Sequence, residues 1–156
     1  MRKTRQTPTG VALTDLILGM FRANNLTLAW GDRLVAPLGI TSARWQILGA
    51  IAAADRPQPV AWLARDLGAN RQNVQRIVND LEKEGLVIFQ PNPYHRRAQL
   101  VVLTDKGSQT FDAAIRLYVP QVNKLSDGIP IEDIQTALNV ITELRRRLEG
   151  LENADE

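Results

Sequence analysis

The most restrictive feature of this chain is the stretch VAWLARDLGANRQNVQRIVNDLEKEG, residues 60–85. Two segments with helical periodicity are separated by the tripeptide Gly-Ala-Asn. Glycine readily adopts a positive φ angle, and asparagine is a preferred residue at a helix N-cap. The stretch therefore predicts a short helix over 59–67, a tight turn at Gly68, and a second helix over 71–84 that Asn70 caps.

The second helix of this pair has two chemically different faces. Its aliphatic residues fall within one arc of a helical wheel: Val74, Ile77, Val78 and Leu81. The opposite side carries amides and cations: Gln72, Gln75, Arg76, Asn79 and Lys83. Asn and Gln pair bidentately with adenine, and Arg pairs in the same way with guanine. We therefore interpret the polar face as a surface that reads DNA bases, with a polar helix face that has no partner as the alternative.

The segment that follows changes from helical to extended periodicity. Two segments are rich in leucine and β-branched residues: LVIFQ, 86–90, and AQLVVLT, 98–104. The sequence PNPYHRR lies between them. This pattern predicts a β-hairpin with a long cationic tip. A guanidinium is weakly hydrated and enters a narrow minor groove readily, which makes Arg96 and Arg97 candidate DNA contacts. Tyr94 and His95 are candidates for phosphate or sugar contacts, and a solvated hairpin end is the alternative reading.

Helices are predicted on both sides of this unit. A long amphipathic helix over 9–36 has Thr9 as its expected N-cap, and a second helix over 42–54 follows the sequence PLGIT, in which Thr41 is the expected cap. Two helices follow the hairpin, at about 105–126, capped by Thr104, and at about 131–149. The final residues, 152–156, are expected to fray.

The order of elements predicts a fold that is mainly α with a small β-hairpin wing, a winged helix-turn-helix. We expect a DNA-binding domain over 41–104, flanked by an N-terminal dimerisation helix over 9–36 and C-terminal dimerisation helices over 105–149. The flanking helices carry more apolar surface than a wing domain of about 80 residues covers, which favours a homodimer. A two-fold dimer would place two recognition helices one DNA turn apart, on an inverted repeat of roughly 16–20 base pairs.

Charge and composition narrow the class further. Residues 1–60 carry seven basic and three acidic side chains, whereas residues 111–156 carry five basic and nine acidic ones. A basic front and an acidic tail suggest that the first two thirds of the chain face a polyanion. The absence of cysteine excludes thiol chemistry and fits a cytoplasmic protein. No signal peptide or membrane span is expected, and no set of residues predicts an enzyme, a metal site or a cofactor.

Three segments closely resemble the MarR family of bacterial transcriptional regulators: PLGITSARWQILGAI, VAWLARDLGANRQNVQRIVNDLEKEGLV and NPYHRRAQLVVLTDKG. The resemblance runs from about Asp15 to about Leu148, and its most specific parts are LEKEGLV and RRAQLVVLTDKG. It implies a homodimer with intertwined terminal helices, a recognition helix at 71–84 and a wing at about 86–104. It also implies a repressor that small aromatic or phenolic anions release from DNA.

The chain departs from the family at the wing tip. The family usually places an acidic residue before the wing arginines, in a D-x-R pattern, where it can brace an arginine. Here the sequence is His95-Arg96-Arg97. We therefore expect a wing tip without the acidic brace, more mobile or more cationic than is usual in the family.

The candidate functional residues fall into two groups. The DNA-binding candidates are Asn70, Arg71, Gln72, Asn73, Gln75, Arg76, Asn79, Lys83, Tyr94, His95, Arg96 and Arg97. A pocket for an aromatic anion is expected near Trp30, Arg33, Arg44 and Trp45, since an arginine can hold the anion while an indole stacks on it. The alternative is that Trp30 and Trp45 are plain core residues and that Arg33 and Arg44 are ordinary surface cations. A winged helix that docks protein instead of DNA is the alternative function.

Overall fold

The computed structural model describes residues 5–152 and confirms a mainly helical fold with a small antiparallel sheet. The predicted fraying of the C-terminus falls largely on residues 153–156, which lie outside the described residues. In chain order the elements are α1 (Pro8–Val35), a 3₁₀ turn (Ala36–Leu38), α2 (Ser42–Ala53), β1 (Gln58–Pro59), α3 (Val60–Leu67), α4 (Arg71–Lys83), β2 (Val87–Gln90), β3 (Leu100–Leu103), α5 (Asp105–Ser126) and α6 (Ile131–Glu152).

The N-terminal cap of α1 is Thr7, so the prediction of Thr9 is wrong. The Thr7 side chain accepts a hydrogen bond from the Gly10 backbone N–H at 3.0 Å, and Pro8 occupies the first helical position. Proline suits that position because its missing N–H has no partner within the helix. Thr9 lies one residue inside the helix.

The Thr41 cap of α2 forms as predicted, and a 3₁₀ turn that was not predicted joins it to α1. Gly39 has a φ of 71°, which ends the 3₁₀ turn, and the Thr41 side chain accepts a hydrogen bond from the backbone N–H of Arg44. The positive φ is inexpensive for glycine, and the threonine satisfies one of the unpaired N–H groups at the start of α2.

The sheet has three strands rather than the two that were predicted. β1 pairs antiparallel with β3, and the strand order is β1-β3-β2. Pro59 was expected near the first turn of α3, but it ends β1 and is the N-cap residue of α3. Proline has no N–H to donate to the ladder. It is tolerated here because β1 is a short edge strand, one side of which pairs with no other strand. A strand of two residues is too short for the alternation that reveals strands in a sequence.

The wing hairpin is shorter than predicted at both strands. β2 and β3 pair in register from Val87 opposite Leu103 to Gln90 opposite Leu100. Thr104 follows β3 and caps α5 as expected, because its side chain accepts a hydrogen bond from the Gly107 N–H at 3.0 Å. The same hydroxyl donates to the Gly85 carbonyl at 2.7 Å, which joins the start of α5 to the end of the α4 segment.

One hydrophobic core holds the helix-turn-helix and the sheet together. All four residues predicted on the aliphatic arc of α4 are buried, and they pack with Leu48, Leu63, Val87 and Val101. Burying side chains of this size contributes about 1.5–3 kcal/mol each. This packing fixes α4 by one face and leaves the other accessible.

The chain divides into two compact units, one up to Tyr118 and one from Val119 onward, so the boundary falls within α5. In the second unit, residues 131–151 of α6 include no buried residue. The Glu143 carboxylate accepts hydrogen bonds from Arg146 and Arg147, which lower its pKa to about 2. Among residues 5–152, no single helix has the length and apolar character to cross a membrane, although α1 through Leu38 and α2 pass that test as a pair bent by 80°.

Candidate nucleic-acid interface

The turn between α3 and α4 sets the direction of the candidate recognition helix. Gly68 has a φ of 61°, and the Ala69 N–H donates to the Ala64 carbonyl at 2.8 Å to close the end of α3. The Asn70 side chain then accepts from the Asn73 N–H at 3.1 Å and starts α4. Gly68 at the turn and Asn70 at the N-cap therefore have the roles that the sequence predicts.

The polar face of α4 is accessible and partly organised by its own hydrogen bonds. Gln72, Arg76, Asn79 and Lys83 are exposed, and Gln75 is half-buried. Gln75 Nε2 donates to Asn79 Oδ1 at 2.9 Å, and Arg76 Nη2 donates to Asn73 Oδ1 at 2.9 Å. Each of these side chains retains further donor or acceptor atoms, since an amide offers both and a guanidinium has five N–H donors.

The wing and α4 meet around one cleft of about 600 Å³. The α4 side chains in its lining are Arg71, Gln75, Asn79, Glu82 and Lys83. Arg97 enters the same lining from the wing, so the described lining holds three cations, Arg71, Lys83 and Arg97, and one carboxylate, that of Glu82. Such a groove attracts a polyanion.

The other DNA-binding candidates on the wing tip are exposed. Tyr94 is 95% exposed, and His95 and Arg96 are also exposed. The structure therefore brings Arg97 together with the α4 candidates, while Tyr94, His95 and Arg96 are presented separately on the tip. A long and flexible side chain at such a tip reaches a partner without displacing the protein core.

Asn92 braces the wing tip, a role that was not predicted from the sequence. Its Nδ2 donates to the Ala98 carbonyl at 2.8 Å, and its Oδ1 accepts from the Tyr94 N–H at 3.0 Å. The Ala98 N–H in turn donates to the His95 carbonyl at 3.0 Å. The amide thus ties both sides of the tip together without the acidic residue that the family usually has. The Asn-Pro sequence was the available signal, because asparagine commonly bonds its own backbone two residues on.

Replacing Asn92 with Ala should loosen the wing tip and leave the core intact. Two tip hydrogen bonds are lost, each worth about 0.5–1.5 kcal/mol. We expect faster amide exchange at residues 94–98 and a fall in Tm of no more than a few degrees, since the tip packs little apolar surface. Hydrogen exchange with mass spectrometry checks this, with Gln90→Ala at an exposed wing position as the control. Unchanged exchange at the tip would contradict the brace.

The four residues expected to form a ligand pocket are only partly brought together. Trp30 and Trp45 line a cavity of about 450 Å³, and the Tyr118 ring lies 5.8 Å and 5.2 Å from their ring centroids. Arg33 is exposed, and neither it nor Arg44 is among the described residues that line this cavity. Arg44 instead pairs with Glu84 at 2.7 Å.

A buried serine joins the long first helix to the helix-turn-helix. The Ser42 N–H donates to Asp32 Oδ1 at 2.7 Å, and the Ser42 hydroxyl donates to the Leu28 carbonyl at 2.9 Å. Ser42 is 5% exposed, and a Cβ added to Gly31 would lie 2.4 Å from its hydroxyl oxygen. The close approach shows that α1 and α2 are tightly packed at this point. This joint also borders the cavity at Trp30.

Comparison with known proteins identifies the family. Residues 38–98, which span the helix-turn-helix and most of the wing, match the sequence model described as MarR family. The chain belongs to the MarR family. This assignment agrees with the observed winged-helix fold. As a member of the MarR family, the chain is a transcriptional regulator.

Two relatives of this MarR-family chain match most of its length. A Mycobacterium tuberculosis protein of uncharacterised function is 34% identical over 139 residues, which cover 89% of this chain and 94% of that protein. The transcriptional activatory protein BadR of Rhodopseudomonas palustris is 28% identical over 147 residues, covering 88% of this chain and 81% of BadR.

Among solved structures, the transcriptional repressor CouR bound to a 23-mer DNA duplex shares the fold. Its TM-score is 0.73 at 24% identity, and the match covers 90% of this chain and 99% of CouR. CouR of Rhodococcus jostii RHA1 has also been solved with p-coumaroyl-CoA, and that structure has a TM-score of 0.67 at 20% identity, covering 88% of this chain and 91% of CouR.

Proposed function

We propose that this protein is a sequence-specific DNA-binding regulator that docks α4 in the major groove and its wing in the minor groove. The observation that carries the proposal is the shared cleft, where the wing residue Arg97 faces the amides and cations of α4. Base-reading amides and phosphate-attracting cations are what an operator requires. The existence of CouR bound to a DNA duplex supports the same use of this fold.

The proposed active form is a homodimer on an inverted repeat. The exposed apolar residues of α1 and of the second unit support it, since a monomer rarely leaves so many large aliphatics in water. On α1 they are Val11, Leu13, Leu16, Leu18, Phe21 and Leu26, and in the second unit they include Ile131, Ile134, Leu138, Val140, Ile141 and Leu148. Two-fold symmetry then gives two half-sites about 10 base pairs apart.

Regulation is proposed to be repression that a small aromatic ligand relieves at the cavity around Trp30, Trp45 and Tyr118. This cavity borders the Ser42 joint between α1 and α2, so a ligand that prefers one arrangement of these helices would shift the spacing of the recognition helices. The p-coumaroyl-CoA complex of CouR supports a ligand-binding role for the fold. Activation is the second candidate, because BadR is named an activatory protein.

The alternative is a winged helix that docks protein instead of DNA. The exposed face of α4 carries amides and cations, with no large apolar side chain among its exposed residues. Protein interfaces have cores depleted in charge and enriched in aromatic residues. Selection of bound sites from random DNA duplexes separates the two functions, and recovery of an inverted repeat is the expected result.

Replacing Arg76 with Ala is expected to weaken binding to the selected operator by about 1–3 kcal/mol and to relax the base preference at one position of each half-site. The reason is the loss of a guanidinium that can pair with guanine. Repeating the selection with the variant measures the change in base preference. Arg116→Ala, at an exposed position on α5, is the control and should select the parental site. An unchanged motif from the Arg76 variant would show that this face does not read bases.

Replacing Arg97 with Ala should weaken binding to all duplexes alike. A wing cation that contacts the phosphate backbone or the minor groove attracts DNA by its charge, without full base selectivity. The slope of log K against log salt should become less steep by about 0.9 per neutralised phosphate contact. Fluorescence anisotropy at several salt concentrations, on the operator and on a scrambled duplex, checks this. A loss confined to the operator would mean that Arg97 reads sequence.

A further inference from the structure

The side chain of Trp62 lies on α3, belongs to neither the DNA-binding candidates nor the candidates for the Trp30 and Trp45 pocket, and is 41% exposed. The guanidinium groups of Arg56 and Arg65 each lie 5.8 Å from its ring centroid. Cations at this distance from an indole face are attracted by the ring quadrupole. An exposed tryptophan with two arginines is a chemical feature that the core does not require.

Trp62 borders a cavity of about 620 Å³ between α3 and the wing tip. Arg56, Pro57 and Trp62 line one side, and Pro93, Tyr94 and His95 line the other. Pockets of about 300–1,000 Å³ are typical of small-molecule sites. Among the described residues, this cavity shares only Pro59 and Ala98 with the cleft at α4, and none with the cavity at Trp30 and Trp45.

The lining selects a particular ligand chemistry. The indole, the phenol and the proline rings offer flat apolar surfaces for stacking. Arg56 provides a fixed positive charge next to the indole ring, and no acidic side chain is among the described residues of the lining. Since arginine holds a carboxylate through parallel N–H donors, the combination favours a planar ring that carries a carboxylate.

We propose that this cavity is a second ligand site, which binds a planar aromatic carboxylate between Trp62 and the wing tip. The ring stacks against Trp62 and the carboxylate pairs with Arg56. Asn92, which braces the tip, is also part of the lining, so an occupied site contacts the wing at its brace. The site is distinct from the cavity at Trp30 and Trp45, and its existence does not depend on the proposed DNA-binding function.

The three tryptophans of the chain allow the site to be tested directly. Protein labelled with 5-fluorotryptophan gives one ¹⁹F signal from each of Trp30, Trp45 and Trp62, and three Trp→Phe variants assign them. Titration with 2-naphthoate is expected to shift the Trp62 signal in a saturable way. The neutral isostere 2-naphthamide should bind at least about fivefold more weakly, because it lacks the charge that Arg56 pairs with.

A variant distinguishes the proposed site from general hydrophobic binding. Arg56→Gln should raise the Kd for 2-naphthoate at Trp62 by at least about fivefold. Arg116→Gln, an equal charge change at an exposed position outside the cavity, should leave the Kd unchanged. Shifts confined to Trp30 and Trp45, the absence of any shift, or equal binding by the Arg56 variant or by the amide would each overturn the proposal.

Discussion

Replacing Leu138 with Lys is expected to convert the protein from a dimer to a monomer at micromolar concentration. Leu138 is 61% exposed and lies on the apolar arc of α6 with Ile131, Ile134 and Ile141. If this arc is the dimer interface, two-fold symmetry introduces two lysines into it, one from each protomer. An unpaired buried charge costs several kcal/mol, and the symmetric pair adds like-charge repulsion.

Size-exclusion chromatography with light scattering measures the expected change in mass. Asn139→Lys is the matched control, because the neighbouring position places the same charge about 100° around the helix, away from the apolar arc. This control should remain a dimer. DNA binding gives a second readout: the monomeric variant should lose at least about 100-fold in affinity for the operator, since each protomer reaches only one half-site. A parent protein that is itself monomeric would refute the homodimer.

The elements that the sequence predicted well depend on neighbouring residues alone. Gly68, Ala69 and Asn70 form one turn, and the conformational preferences of the glycine and the asparagine set that turn whatever surrounds it. The aliphatic arc of α4 was predicted for the same reason, since helical periodicity is visible within one segment. The cap of α1 was misplaced because local preferences do not separate its two candidates. Two threonines flank Pro8, and the sequence alone favours neither strongly.

The features that the sequence did not predict depend on residues far apart in the chain. β1 exists because Gln58 and Pro59 reach β3, more than 40 residues away. The partner of Arg44 is Glu84, at a separation of 40 residues, so its interaction could not be inferred from its own helix. The grouping of Arg97 with α4 likewise follows from the way the hairpin folds back. Non-local pairings of this kind need the tertiary structure.

The largest effect on stability is expected from Gly107→Ala, at the start of α5. Gly107 is buried, and a Cβ added there would lie 1.9 Å from the Leu86 carbonyl oxygen and 3.0 Å from its carbon. Backbone atoms cannot rotate away as a side chain can. The same carbonyl accepts a hydrogen bond from the Thr104 N–H at 3.1 Å, and Lys106 Nζ donates to the Glu84 carbonyl at 2.7 Å. Relief of the clash would therefore disturb the whole junction between α4, β2 and α5.

We expect Gly107→Ala to lose about 3 kcal/mol or more of unfolding free energy, at the upper end of the usual cost of overpacking. For a chain of this size that loss lowers Tm by roughly 6–12 °C. Thermal unfolding followed by circular dichroism at fixed protein concentration measures it. Gly150→Ala is the matched control, because a Cβ there meets no atom within 4 Å and alanine favours helix over glycine by up to about 1 kcal/mol. The control should be as stable as the parent or slightly more so. Equal stability of the Gly107 variant would mean that α5 does not approach Leu86 this closely, and that the wing is held to α5 more loosely than these contacts require.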